Sequence, residues 1–215
     1  HPDNNITKLM LSRNYITKSL DDVKLLIQAC KRTGYCCFDY ETNAEPIYNE
    51  SFKPTLLSIT FQPGSSISIP LAHFERDKYT DGFDWMVALQ MVGEELFMNV
   101  EIVKMAWNFK FDDQINKKYG IQCKGTCLDG MLEKYLLDEV KPNDLKSMVR
   151  RFLPEFGDYE KEGGLDKMAW DEKPLIPLAK YGGMDTDCTF RLTIFFESRL
   201  IEKGLYNLYR NLYMP

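Results

Sequence analysis

The sequence predicts an α/β fold in which a mixed central sheet is flanked by helices. Three observations carry this expectation. Apolar runs at residues 35–41, 55–61 and 66–71 follow one another with turn chemistry between them, which reads as successive strands. From Trp85 onward helical spacing alternates with one more strand-like run, and strands first, then strand and helix together, suit a mixed sheet. Finally, 215 residues with 44% hydrophobic and 13% aromatic content supply one well-buried core, with no internal repeat or low-complexity stretch.

Each element has its own reason. Ser19 is the expected N-cap of the first helix, where Leu20, Val23, Leu26, Ile27 and Cys30 recur on one face, and Gly34 stops it. Tyr35-Cys36-Cys37-Phe38-Asp39-Tyr40-Glu41 is a short, mostly apolar strand. Pro63-Gly64 turns the second strand into the third. Residues 85–96 are predicted helical and 100–107 strand-like. Asn108 is expected to cap a helix running to about Lys118. Residues 126–137 are predicted as one helix, and Asn143-Asp144-Leu145 opens another that ends near Leu153. Residues 154–174, rich in Gly, Pro and charge, are expected to form a long, mobile loop. Residues 175–201 are predicted helical. Gly182-Gly183 is where that helix would break, since glycine costs about 1 kcal/mol against alanine in a helix interior. Alternatively, the two glycines permit close approach of another element or a ligand.

Composition narrows the chemistry. His1 and His73 are the only histidines, which excludes most histidine-rich metal sites and His-based triads. Among the six cysteines only Cys123 and Cys127 suggest a zinc half-site, and no second pair follows, so reduced structural thiols of a cytoplasmic protein are expected. Any metal must be held mainly by carboxylates, which favours hard ions such as Mg²⁺ or Mn²⁺. No run is long and apolar enough for a membrane span, so no membrane partner is expected. The net charge of −5 argues against nucleic-acid binding by bulk charge, but not against an acidic site neutralised by cations. The basic groups at Lys117-Lys118, Lys146 and Arg150-Arg151 read as solvated helix faces.

Three segments carry the reactive groups. Asp39 and Glu41 lie two apart on a predicted buried strand, so alternation sends both carboxylates to one face. Two buried like charges cost several kcal/mol, roughly, unless something offsets them, and a bound cation is the simplest agent. The alternative is a strand that ends at Phe38 and leaves both acids in water. In Trp107-Asn108-Phe109-Lys110-Phe111-Asp112 an acid falls one turn after the expected cap, but Asp113 is adjacent and spacing cannot choose between them. In Tyr181-Gly182-Gly183-Met184-Asp185-Thr186-Asp187, Tyr181 and Asp185 stack on one helical face; the bland alternative is a packed tyrosine and an Asp185–Arg191 pair.

Together the three segments resemble the proofreading 3′→5′ exonuclease domain of family A (DNA polymerase I-like) DNA polymerases, in the tyrosine subgroup of the DEDD exonucleases. Phe38-Asp39-Tyr40-Glu41-Thr42 is similar to the first motif. Asn108-Phe109-Lys110-Phe111-Asp112 is similar to the second. Tyr181-Gly182-Gly183-Met184-Asp185, extended by Asp187 and Arg191-Leu192, is similar to the third. Ile69-Pro70-Leu71-Ala72-His73, the 129–138 segment and Asp144-Leu145-Lys146-Ser147-Met148 add supporting matches. The departures are conservative. Tyr40 replaces a small residue, and glycines replace alanines after Tyr181.

The resemblance implies a ribonuclease H-like (DnaQ-like) exonuclease fold. It implies two divalent cations, Mg²⁺ or Mn²⁺, with Asp39, Glu41 and Asp185 on the first, Asp39 bridging to the second, and Asp112 holding that one mainly through water. Tyr181 would orient the attacking water, because a phenol with an ordinary pKa of about 10 is a poor base. Thr42, Asn108, Phe109 and Phe111 are candidate substrate contacts, although core packing is the commoner role for the two phenylalanines. The substrate would be DNA, with single-stranded 3′ ends preferred, and the product a nucleoside 5′-monophosphate. Residues 1–14 would be an N-terminal extension or tag remnant and 15–204 the exonuclease domain. Residues 205–215 would begin the connection to a polymerase domain acting in cis, in a bacterial or phage-infected cytoplasm. An RNA-trimming exonuclease of the ribonuclease D type and a non-catalytic nucleic-acid-binding module are the competing readings.

Overall fold

Side-chain alternation along a six-stranded sheet divides the molecule into two packed layers. The computed structural model describes residues 13–140, 142–159, 161, 165, 168–169 and 172–214. The first twelve residues of the expected extension, and parts of the 154–174 stretch, lie outside the described residues. In chain order come β1 (Arg13–Ile16), α1 (Leu20–Thr33), β2 (Tyr35–Thr42), β3 (Pro54–Gln62) and β4 (Ser65–Pro70). Next are α2 (Arg76–Tyr79), α3 (Trp85–Val92) with a π-helical continuation over Gly93–Phe97, β5 (Val103–Ala106) and α4 (Phe109–Lys118). Then come β6 (Cys127–Asp129), α5 (Gly130–Leu137), α6 (Leu145–Phe152), α7 (Leu175–Glu202) and α8 (Tyr206–Leu208). The sheet order is β1-β4-β3-β2-β5-β6. The β2–β3 and β3–β4 pairs are antiparallel and the remaining neighbours parallel, so the sheet is mixed as predicted.

β2 shows how the layers arise. Cys36, Phe38 and Tyr40 enter a core with Val23, Leu26, Ile27 and Cys30 of α1, and Ala88, Leu89 and Val92 of α3. The alternate residues face the other way: Cys37 packs with Phe190 of α7, and Asp39 and Glu41 point to that side as well. α1 starts as expected, with Ser19 accepting the Asp22 N–H and the Asp22 carboxylate answering, and it ends on left-handed Gly34. Tyr209, beyond α8, is fully buried, and its hydroxyl accepts the Asp129 N–H at 2.6 Å.

Several expectations change. β1 is a strand the sequence does not predict; it has only four residues, too few to show alternation, and gains its place by parallel pairing with β4. The predicted helix over 126–137 begins as a strand, because Cys127, Leu128 and Asp129 pair with Lys104, Met105 and Ala106 of β5. Asn108 does not cap α4 with its side chain; it is left-handed at φ 63°. Asp129 does that work instead, its carboxylate accepting the Asn108 N–H at 3.1 Å and the Phe109 N–H at 2.9 Å while also capping α5.

α7 does not break at Gly182-Gly183 and runs unbroken for 28 residues. A Cβ on Gly182 would lie 2.5 Å from Ser58 Oγ, so close approach to β3, not helix interruption, explains that glycine. Residues 154–174 are not simply an external loop, since Phe156, Tyr159, Leu165 and Lys173 are buried.

Candidate active site

β2 ends where α7 crosses the sheet, and that crossing brings the first and third acidic segments together. Asp39, Glu41 and Asp185 each offer a carboxylate oxygen, and these oxygens all lie within 4.8 Å of one another. Glu41 and Asp185 are buried and Asp39 is partly buried. Small residues make the approach possible: Gly182 sits on Ser58, and Thr186 Oγ1 meets Thr60 Oγ1 at 2.9 Å. Asp187 and Arg191 lock the helix from beneath through a buried ion pair at 2.9 Å, and Asp187 also accepts the Gly64 N–H. Arg191 therefore belongs to Asp187, and the alternative Asp185–Arg191 pair does not form.

Electrostatics show what this crowding costs. Burial, with the neighbouring Asp185 charge adding to it, raises the Asp39 carboxyl from 3.8 to about 7, and Lys146 pulls the other way. Burial and then Asp39 and Asp185 push Glu41 well above its ordinary range. A dication would turn this repulsion into coordination. The donor set fits one: carboxylate oxygens alone, converging from two elements, are the ligands of hard ions such as Mg²⁺ and Mn²⁺.

The second segment sits beside this group without joining the 4.8 Å cluster. Asp112 is 1% exposed, its Oδ1 accepts the Tyr40 N–H at 3.1 Å, and burial followed by the Asp39 charge raises its pKa. Asp113, whose side chain is 17% exposed, instead pairs with Lys117 at 2.6 Å. Thr42 is partly buried one residue beyond Glu41, at a β-bulge, and Asn108 is exposed. Phe109 is in the core, 5.6 Å from the Phe38 ring, whereas Phe111 is 43% exposed. Tyr181 lies one turn before Asp185, its ring 6.1 Å from that of Tyr159.

Two neighbours are not among the candidate site residues predicted from the sequence. Lys146 is not on a solvated face: its ammonium contacts Asp185 Oδ1, donates to the Tyr159 hydroxyl at 2.9 Å, and lies 4.2 Å from the Tyr181 ring centroid. Tyr159, from the stretch expected to be a mobile loop, is 5% exposed and donates its hydroxyl to the same Asp185 oxygen. Periodicity does not reveal their contact with Asp185, because that partner is 39 and 26 positions away.

A family model described as 3′-5′ exonuclease, of the DNA polymerase A type, matches residues 15–201. The chain belongs to this family. It is a 3′-5′ exonuclease domain of the DEDD superfamily, a hydrolytic enzyme, and its mixed sheet and flanking helices form that superfamily's ribonuclease H-like fold. Divalent-metal dependence is normal for such exonucleases, and the acidic cluster agrees with it.

DNA polymerase I of Borreliella burgdorferi is 26% identical over 205 residues, 94% of this chain and 21% of the relative. DNA polymerase I of a Synechocystis strain is 28% identical over 141 residues, 65% of the chain and 14% of the relative. The chain thus spans about a fifth or less of these polymerases.

Among solved structures, the Nibbler exonuclease domain of Aedes aegypti matches with a TM-score of 0.69 at 15% identity, covering 97% of this chain and 98% of that one. NrnC of Brucella melitensis with bound Mg²⁺ matches at 0.63 and 15% identity, covering 93% and 86%. Escherichia coli RNase D, an exoribonuclease, matches at 0.64 and 16%, covering 91% and 46%. At these identities the likeness is one of fold. No helix among the described residues is long and apolar enough to cross a membrane.

Proposed function

We propose that this domain is a proofreading-type DNA exonuclease that trims single-stranded 3′ ends and releases nucleoside 5′-monophosphates. The observation that carries the hydrolytic reading is the convergence of Asp39, Glu41 and Asp185 within 4.8 Å. The preference for DNA rests on sequence: the relatives alignable at 26–28% identity are DNA polymerases, while the ribonuclease similarity is confined to the fold. The same relatives support a polymerase domain joined in cis, with residues 205–215 leading toward it. The proposed setting is the bacterial or phage-infected cytoplasm.

In this reading Asp39, Glu41 and Asp185 hold divalent cations, Mg²⁺ or Mn²⁺, with Asp112 assisting at a second ion from its place under Tyr40. When bound, such ions lower the pKa of water and stabilise the charge on a departing oxygen. Tyr181 orients the attacking water from one turn before Asp185. Thr42, Asn108 and the exposed Phe111 would touch the terminal nucleotide, with buried Phe109 packing behind them. A frayed end reaches this recessed cluster more readily than a paired one, which favours mismatched termini.

The test is digestion of 5′-labelled single-stranded DNA and sequence-matched RNA with Mg²⁺ or Mn²⁺, beside EDTA and an Asp39→Ala/Glu41→Ala control. A DNA ladder shortening from the 3′ end, lost in both controls and slower on RNA, is expected. Faster RNA trimming would replace the DNA reading with a ribonuclease D-like one. No degradation by folded protein in either metal would end the hydrolytic reading.

A further inference from the structure

A cation of the protein's own is already in the acidic cluster. Lys146 is the second residue of α6, where a positive charge opposes the helix dipole, so something else must favour it there. That something is a cage. The ammonium lies 4.3 Å and 4.2 Å from the ring centroids of Tyr159 and Tyr181, donates to the Tyr159 hydroxyl, and contacts Asp185 Oδ1. The Lys146 and Asp185 side chains are only 17% and 11% exposed, so little solvent screens the pair. Tyr159 donates to that same Oδ1. Both donors thus take one oxygen of Asp185, and its Oδ2 accepts no hydrogen bond among the described residues. Two donors on one oxygen fix the rotation of this carboxylate.

We propose that Lys146 is a positioning residue of the hydrolytic site and its resident counter-cation. With Tyr159 it anchors Oδ1 of Asp185, which leaves Oδ2 for the divalent cation. Its ammonium offsets part of the cluster's charge before a metal arrives and competes with the metal afterwards. This rests on the reading of Asp185 as a metal ligand. Two cations sharing one buried carboxylate repel each other strongly, because low effective dielectric magnifies the interaction. Removing the lysine charge should therefore tighten metal binding, while loosening Asp185 should slow the reaction. A merely structural lysine would not produce that opposition.

The experiment titrates Mn²⁺ into the full chain by calorimetry or electron paramagnetic resonance at a pH of about 8, where Asp39 is ionised, with melting curves to verify folding. Lys146→Gln keeps a donor for Oδ1 but no charge, and Lys146→Met removes both. Either should bind the first Mn²⁺ on the order of tenfold more tightly than wild type, with kcat reduced, and Lys146→Arg should return affinity toward wild type. If Lys146→Met does not fold, Lys146→Gln carries the comparison. Unchanged or weaker Mn²⁺ affinity in a folded, uncharged variant overturns the proposal. If wild type binds no Mn²⁺, or Asp185→Asn binds it equally well, the metal-ligand reading of Asp185 fails and takes this proposal with it.

Discussion

Replacing Asp39 by Asn should make the metal-free protein more stable while abolishing its metal-dependent activity. In the folded chain, burial and the Asp185 charge raise the Asp39 carboxyl from 3.8 to about 7. At 1.36 kcal/mol per pH unit this gap amounts to about 4 kcal/mol of destabilisation in the ionised form. Partial exposure of Asp39 and relaxation of the groups around it reduce the gain to about 2 kcal/mol.

The sign follows from proton linkage. A carboxyl whose folded pKa lies above its unfolded value takes up protons on folding. Metal-free wild type should therefore lose stability as pH rises from about 4 to about 7 and stay level above. The Asn variant lacks this slope, so its advantage is largest at about pH 8 and vanishes near about pH 3.5. Urea denaturation in EDTA at both pH values measures it, and saturating Mg²⁺ should restore wild type but not the variant. A variant no more stable than wild type at the higher pH, or an advantage that persists at the lower one, would refute the account of the cluster as a repulsive site awaiting a cation.

Three further outcomes are expected. Gly182→Ala places a Cβ 2.5 Å from Ser58 Oγ and should cost about 1–3 kcal/mol by thermal melting, despite alanine's better helix propensity. Arg191→Met strands Asp187 in the interior, where both partners are at most 1% exposed. It should cost about 3–5 kcal/mol in denaturant titration, and an unaltered midpoint would contradict the locking role assigned to that pair. Glu133 is fully buried, and burial aided by the charges of Glu197 and Asp129 raises its carboxyl from 4.5 to about 9. Wild-type stability should therefore decline across that interval, and Glu133→Gln should flatten the decline; identical pH profiles would count against it.

Much of the candidate site is legible in the chain itself, because its first requirement is local. Asp39 and Glu41 share a face since they are two apart on a strand, and the apolar residues of α1 share one since they recur with helical spacing. Ser19 and Gly34 delimit α1 through chemistry confined to a few neighbouring bonds. The strand and helix patterns, the acidic pair and the carboxylate donors are properties of short segments, and those the sequence by itself determined.

The tertiary structure decided whatever required two distant segments to meet. It put Asp112 under the Tyr40 N–H and paired its neighbour Asp113 with Lys117. It turned residues 127–129 into a strand because β5 offered an unpaired edge, and it made Asp129 the cap that Asn108 was expected to be. It drew Lys146 and Tyr159 onto Asp185, where neither periodicity nor composition places them. Local propensities are weak, at most about 1 kcal/mol per residue for ordinary side chains, so pairing, burial and charge compensation override them wherever the fold brings partners together.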